Sequence, residues 1–473
     1  MIKYTPSQEK AIYTKNKSLL LSAAAGSGKT AVLGARILDI ISDEKNDINI
    51  TDLLVVTFTN LAAAQMKERI YKEVTERIRT QPKNKKLKKQ LLYLSGAKIK
   101  TIHSFCLDVI RENIAELDIP VNFRIADENE EKAICETVIG EFIEEKYKEY
   151  DEDFLSIINT YAYGRDDSAF SELILSLNRY IMSLPDREKY TKMCISYLND
   201  ASEDFGKSVY QDILLNHAGI ILKSCIKKYD AAIEAAELSP DFDMYAPFFS
   251  EEKAFMERLS EETDIFELSD KLSGYAFPTL PRKKTGTDNT FFKEVRKAFK
   301  DKGSKNIQKV MNKSKDEEEA QLKTVIPLIK NLFRLEAEFW ERLSEEKKKR
   351  GVLTFGDFEH LAYGLLKNSG GEPSAVAKSL RDSFYEILID EYQDTSDLQN
   401  SIFELISKDG KNLFTVGDVK QSIYKFRHAK PELFIKKAAE YEKDLDFSKP
   451  FSILTLLISC DGALCSADVV SFK

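Results

Sequence analysis

The sequence predicts an α/β fold in which a parallel sheet carries helices on both faces and is interrupted by a large, all-helical insertion. Three observations predict it. Short apolar runs of strand length alternate with helically spaced segments near the N-terminus, at Leu19-Leu20-Leu21 and at Leu53 to Val56. From about Asp127 to Leu343 glycine is sparse, charge is dense, and apolar residues recur every three or four positions, as at Leu322, Val325, Ile329, Leu332 and Phe333. After Gly351 to Phe355 the strand-like runs return, at Tyr385 to Ile389 and at Leu413 to Val416. The expected domains are 1–126 and 346–446 as two parts of one α/β domain, 127–345 as the insertion, and 447–473 as an atypical tail.

Residues 4–12 read as a turn entering a helix, with Thr5 as N-cap, Pro6 at the first helical position and Gln8 placed for a capping box. The Gln8 amide both donates and accepts, so it could instead read an adenine edge, and both readings stand. The strand Leu19 to Leu21 runs into Ser22-Ala23-Ala24-Ala25-Gly26-Ser27-Gly28-Lys29-Thr30, followed by helically spaced residues from Ala31 to Ile41. A strand, a glycine-bearing loop and a helix start form a phosphate cradle, because backbone N–H groups turn inward and the helix terminus adds partial positive charge. Lys29 would reach the outer phosphates and Thr30 would hold Mg²⁺. Ala23 occupies the place of the usual first glycine.

Next, Leu53 to Asn60 delivers Phe58, Thr59 and Asn60 to a strand end, ahead of a helix over Leu61 to Ile70. A third unit, Lys98 to Cys106, brings Thr101, His103 and Ser104 to a comparable position, where parallel sheets bind ligands. His103 taken alone is more often a satisfied structural residue than a ligand contact. In the insertion, Phe333, Phe339 and Trp340 read as core, and Pro278 to Lys315 reads as an exposed loop or mobile link turning at Thr285-Gly286-Thr287. The strand Tyr385 to Ile389 then presents Asp390-Glu391-Tyr392-Gln393-Asp394-Thr395. Two adjacent acids after a buried strand suit a phosphate-loop enzyme, one carboxylate for the metal and one for water. The last strand, Leu413 to Val416, ends in Gly417 to Arg427, where the Gln421 amide could sense a terminal phosphate and Tyr424, Phe426 and Arg427 could stack on bases.

The chain has 473 residues, 43% hydrophobic and 31% charged, with a net charge of −8, which argues against a uniformly basic coat but leaves room for local basic faces. Basic stretches lie at Lys83 to Lys89, Arg282 to Lys284 and Lys347 to Arg350, each either a solvated face or a nucleic-acid contact. No stretch predicts a membrane span or a secretion signal, so the expected location is cytoplasmic. Six scattered cysteines and four histidines make no zinc-site pattern.

Taken together, residues 22–30, 53–60, Thr101 to Cys106, Phe123 to Asp127, Asp390 to Thr395 and Val416 to Tyr424 resemble the ordered motifs of UvrD/Rep-type superfamily 1 DNA helicases. The closer resemblance is to the A subunits of bacterial AddAB helicase–nucleases. It implies a RecA-like motor domain using ATP and Mg²⁺, single- and double-stranded DNA as substrates, an AddB-type partner, and a role in processing double-strand breaks for recombinational repair. It further implies that Gln8 reads adenine, and that Ala23, Ala24, Ala25, Gly26, Ser27, Gly28, Lys29 and Thr30 cradle the nucleotide. Asp390 would hold the metal with Thr30, Glu391 would be the catalytic base and Gln421 would couple the γ-phosphate to the DNA groove. Phe58, Thr59, Asn60, Thr101, His103, Ser104, Tyr424, Phe426 and Arg427 would line the single-strand path. The family carries a second motor domain and a nuclease domain. Residues 447–473 match neither, so a reading-frame change or premature end is expected, and with it weak nucleotide binding, slow hydrolysis and no translocation. A nucleotide- and DNA-binding module without turnover, or a generic phosphate-loop NTPase, are the other readings.

Overall fold

The structure, a computed structural model, describes residues 4–24, 26–161, 167–282, 287–311, 313–423, 428–443 and 451–456. The chain divides into two compact units. One comprises Met1–Glu145, Ser171–Arg187 and Glu338–Lys473, and the other Lys146–Phe170 and Glu188–Ala337.

The first unit is built on a parallel sheet. Its strands are β1 (Ser18–Ala23), β2 (Leu53–Thr57), β3 (Lys98–Thr101), β6 (Glu386–Ile389), β7 (Leu413–Gly417), β8 (Glu442–Lys443) and β9 (Phe451–Leu456), in the spatial order β3-β2-β6-β7-β1-β9-β8. A separate parallel pair joins β4 (Arg124–Ile125) to β5 (Val352–Leu353). Because strand side chains alternate between faces, Leu19, Leu21, Leu53 and Val55 point into one core while Leu20, Leu54 and Val56 point into another. The first core is closed by α1 (Pro6–Tyr13), α2 (Lys29–Ser42), α3 (Asn60–Thr80) and α4 (Lys85–Tyr93). The second is closed by α5 (Ile102–Glu112) and by helices Phe355–Leu366, Asp397–Ile406 and Pro431–Glu440.

A fully buried arginine ties the first face together. Arg36 of α2 forms a two-pronged pair with Glu386 of β6, its Nε 2.8 Å from Oε2, and donates to the carbonyls of Ala11 and Thr14 at 2.6 and 2.7 Å. Its guanidinium also lies 4.5 Å from the Phe414 ring centroid. The charge is tolerated in the core because every face of it is partnered.

In the second unit the described elements are helical. Val209–Glu237 and Tyr245–Ser260 pack around a core containing Tyr229, Tyr245, Phe249, Phe292 and Phe299. Here one expectation fails. The stretch Pro278 to Lys315 is not a loop throughout: it forms helix Thr290–Lys297, a π-helical turn Ala298–Gly303 and helix Ser304–Val310. Phe292, Val295, Phe299 and Ile307 recur at near-helical spacing and are buried, while Lys293, Lys297, Lys302 and Lys305 between them are exposed. The abundance of lysine concealed that stripe. Thr285 and Gly286 of the expected turn lie outside the described residues.

In two of the basic stretches some of the charges are partnered within the fold. Lys86 of α4 donates to the carbonyls of Asp43 and Asn46 at 2.7 and 2.8 Å, and Lys347 pairs with buried Asp357 while Arg350 pairs with Glu346. Phe339 is fully buried, and Trp340 lies under the Arg187 guanidinium. Strand β9, in the tail read as atypical, pairs with β1 from Ser18↔Phe451 to Ala23↔Leu456. No helix among the described residues is long and apolar enough to cross a membrane.

Candidate functional site

Parallel pairing puts the carboxyl ends of β2, β6, β7 and β1 along one edge. Val56 lies opposite Ile389, Ile389 opposite Thr415, and Ser22 opposite Gly417. The residues that follow each strand therefore meet, although Lys29 and Asp390 are separated by 390 − 29 = 361 positions. Brought to this edge are the loop after β1, Phe58 after β2, the Asp390-Glu391 pair after β6 and the Asp418–Gln421 turn after β7.

The loop after β1 uses its glycines for backbone shape. Gly26 and Gly28 have φ of +76° and +85°, and Gly28 caps the start of α2. Open space surrounds the point where a Cβ on Gly26 would sit, and the buried Ser27 Oγ has no hydrogen-bond partner among the described residues. An open cradle with an orphaned hydroxyl and a helix N-terminus fits an anionic ligand. Gln8 serves the cap as expected: its backbone N–H donates to Thr5 Oγ1 at 3.3 Å, and its Oε1 accepts from the Thr5 N–H at 2.8 Å. Its Nε2 also donates to the Ser27 carbonyl at 3.0 Å, joining the cap to the loop. Ala23 ends β1, Ala24 follows it, and Ala25 lies outside the described residues.

The acids and the amide close a ring around Lys29. The Lys29 Nζ lies 3.1 Å from Glu391 Oε2 and 3.2 Å from Gln421 Oε1. Gln421 Nε2 donates to Asp418 Oδ2 at 2.6 Å, the Asp418 N–H donates to Gln393 Oε1 at 2.9 Å, and Gln393 Nε2 returns to Glu391 Oε2 at 2.8 Å. Glu391 holds φ +53° and ψ +44°, a left-handed conformation costly for a residue with a side chain. The Asp390 N–H continues the sheet by donating to the Val56 carbonyl at 2.9 Å. Burial, reinforced by the Glu391 charge, pushes the Asp390 carboxyl up to about 6, and the same two causes raise Asp394.

Thr30, Asp390, Glu391 and Gln421 line a cleft of about 500 Å³ together with Phe58 and Thr59. Gln393 and Asp394, named in the Asp390 to Thr395 motif but given no role there, line it too, as do Ala62, Gln65, Met66 and Arg69 of α3. For Ala62, Met66 and Arg69 the signal was present as helical spacing after a strand end. Arg69 is held by Glu73 at 2.8 Å and lies against Gly34 of α2, where a Cβ would come within 3.3 Å of its Nε.

The other strand-end residues form a second group. Thr59 and Thr101 are helix N-caps, accepting from the N–H groups of Ala62 and Ser104. Thr101 Oγ1 lies 3.4 Å from Asn60 Oδ1 and 2.9 Å from Ser104 Oγ. His103, 39% exposed, has Nε2 3.0 Å from the buried Glu359 carboxylate and its ring centroid 5.3 Å from that of Phe355. Glu359 also accepts from Gln399 Nε2 at 2.7 Å. Tyr424, Phe426 and Arg427 lie outside the described residues.

Comparison with known proteins places the chain in a family. Residues 4–442 match the family described as UvrD/REP helicase N-terminal domain. The chain is 38% identical over 459 residues to a protein of Acetivibrio thermocellus whose name makes it the A subunit of an ATP-dependent helicase/nuclease, covering 93% of this chain and 37% of the relative. Proteins with the same name from Clostridium botulinum (38% over 480 residues, 95% and 38% covered) and Clostridium beijerinckii (37% over 455 residues, 93% and 36%) are similar to it as well. The chain spans a little over a third of the length of these relatives. With the strand-end cleft assembled from the same segments that the family match spans, the chain belongs to the UvrD/REP helicase N-terminal domain family.

Proposed function

We propose that this chain is the ATP-binding motor portion of a DNA helicase–nuclease that processes double-strand breaks for recombinational repair. The observation that carries the proposal is the meeting of Lys29, Thr30, Asp390, Glu391 and Gln421 at one sheet edge. In this reading residues 1–126 and 346–446 form a RecA-like motor domain, and 127–345 is an insertion within it. The names of the relatives support a multi-subunit assembly, and the partner is of the AddB type.

The nucleotide phosphates lie in the Gly26–Thr30 cradle, with Lys29 on the outer phosphates and the Gln8 amide beside the adenine. Thr30 and Asp390 hold Mg²⁺, which when bound screens phosphate charge and acts as a Lewis acid. Glu391 takes the proton of the attacking water, and the Gln421 amide orients against the terminal phosphate. Phe58 and Thr59 line the same cleft as these groups, so a change in the phosphate site reaches side chains suited to contact bases. Asn60, Thr101, His103 and Ser104 extend that path.

ATP hydrolysis measured with and without single-stranded DNA at about 100 mM salt tests the proposal. Hydrolysis stimulated by DNA and abolished by Lys29→Ala is the expected result. DNA binding that is indifferent to nucleotide, with no hydrolysis, would reduce the chain to a binding module.

A further inference from the structure

Gln393 has no part in the roles assigned above, yet its side chain makes three hydrogen bonds within the cleft. It is 1% exposed, sits in the 3₁₀ turn Tyr392–Asp394, and uses both ends of its carboxamide. The Nε2 donates to Glu391 Oε2 at 2.8 Å and to Asp394 Oδ2 at 3.3 Å, while the Oε1 accepts from the Asp418 N–H at 2.9 Å. Glycine at 417 is required by this contact: a Cβ there would overlap Gln393 Oε1 and come within 3.1 Å of Phe434. On the far side, Asp418 caps the Val419–Gln421 turn by accepting from the Lys420 N–H at 3.0 Å, and its Oδ2 accepts from Gln421 Nε2.

We propose that Gln393 is a positioning residue that holds the Glu391 carboxylate and makes its orientation depend on where the Asp418–Gln421 turn lies. The inference rests on the reading of Glu391 as the base that takes a proton from water. Glu391 occupies a left-handed backbone conformation, and a strained residue keeps its geometry only when its surroundings over-determine it. Among the described residues, two groups grip its Oε2: Lys29, which in the proposed function also binds phosphate, and Gln393, which binds none. Gln393 is therefore the grip that persists whatever Lys29 does. Being rigidly tied to the Asp418 N–H, it carries a shift of the β7 end to the carboxylate through one side chain. This is a different path from the direct contact of Gln421 with Lys29.

The test is single-turnover ATP hydrolysis by the whole chain in excess over ATP, beside ATP affinity and melting temperature, for Gln393→Glu, Gly417→Ala and Glu391→Gln. Gln393→Glu keeps the acceptor for Asp418 and turns the donor toward Glu391 into a second oxygen. Gly417→Ala displaces the amide without changing charge. The expected result is that both slow hydrolysis, by about 10²-fold if the carboxylate moves by about 1 Å, with ATP affinity changed less than about threefold and Glu391→Gln equally slow. Hydrolysis within twofold of the unsubstituted chain in Gln393→Glu, with Glu391→Gln inactive, would overturn the inference and leave the base assignment standing. Parallel loss of ATP affinity in folded variants would also overturn it, as a packing role. Undiminished hydrolysis in Glu391→Gln, or none in the unsubstituted chain, would remove the reading on which it rests.

Discussion

Asp390 and Glu391 are neighbours in sequence with different environments. Burial and the Glu391 charge keep the Asp390 carboxyl protonated up to about pH 6, whereas an Asp in an unfolded chain ionises near 4. Between those values the folded chain binds a proton that the unfolded chain has released. This carboxyl therefore favours the fold at acid pH, and the contribution is lost as pH rises through about 6. Asp390→Asn removes the titration, so the variant should be more stable than the unsubstituted chain at neutral pH, on the order of 2 kcal/mol. The gap should widen between pH 5 and pH 7.5. Urea midpoints at the two pH values measure it, and a gap independent of pH would contradict the assigned burial. In the proposed function, the same proton would have to leave before Asp390 could take a cation.

At the scale of elements, α1, α2 and β6 are fastened by one buried side chain. Arg36→Leu leaves the Glu386 carboxylate buried without its partner and should cost about 3–5 kcal/mol. Adding Glu386→Leu should recover only part of this, because the Ala11 and Thr14 carbonyls lose their donor in both variants. Full recovery in urea unfolding would show those carbonyl bonds to be dispensable. Elements of this kind were legible from sequence where one physical signal dominated. Leu53 to Val56 reads as a strand by apolar run alone, and Thr5, Pro6 and Gln8 announce α1 by capping chemistry. The helices of 290–310 were hidden because lysine outnumbers the apolar residues that define their period. Gln393 was illegible for another reason. A buried glutamine means something only beside the Gly417 backbone and the Glu391 carboxylate, and 24 residues separate it from that glycine. The convergence of Lys29 with Asp390 was legible because parallel strands force their carboxyl ends to one edge, however long the intervening chain.

At the scale of the whole molecule, the chain holds cores of different make. The sheet face closed by α1 to α4 is largely aliphatic, while the opposite face adds Phe105, Phe358, Phe384, Phe403 and Phe434, and the helical unit buries a cluster of Tyr229, Tyr245, Phe249, Phe292 and Phe299 with ring centroids 4.9–6.3 Å apart. Each unit closes its cores with its own residues, so each unit should unfold as its own cooperative block. Calorimetry of the whole chain should then show two transitions. Phe299→Ala, at a fully buried position of the helical unit, should lower one of them by an amount corresponding to about 3–5 kcal/mol. Arg36→Leu should lower the other. Mg²⁺–ATP should raise only the transition that Arg36→Leu moves, because a ligand stabilises the block that holds its site. A single transition lowered alike by both substitutions would mean that the two units melt together, and that the proposed nucleotide site draws its stability from the helical unit as well as from the sheet.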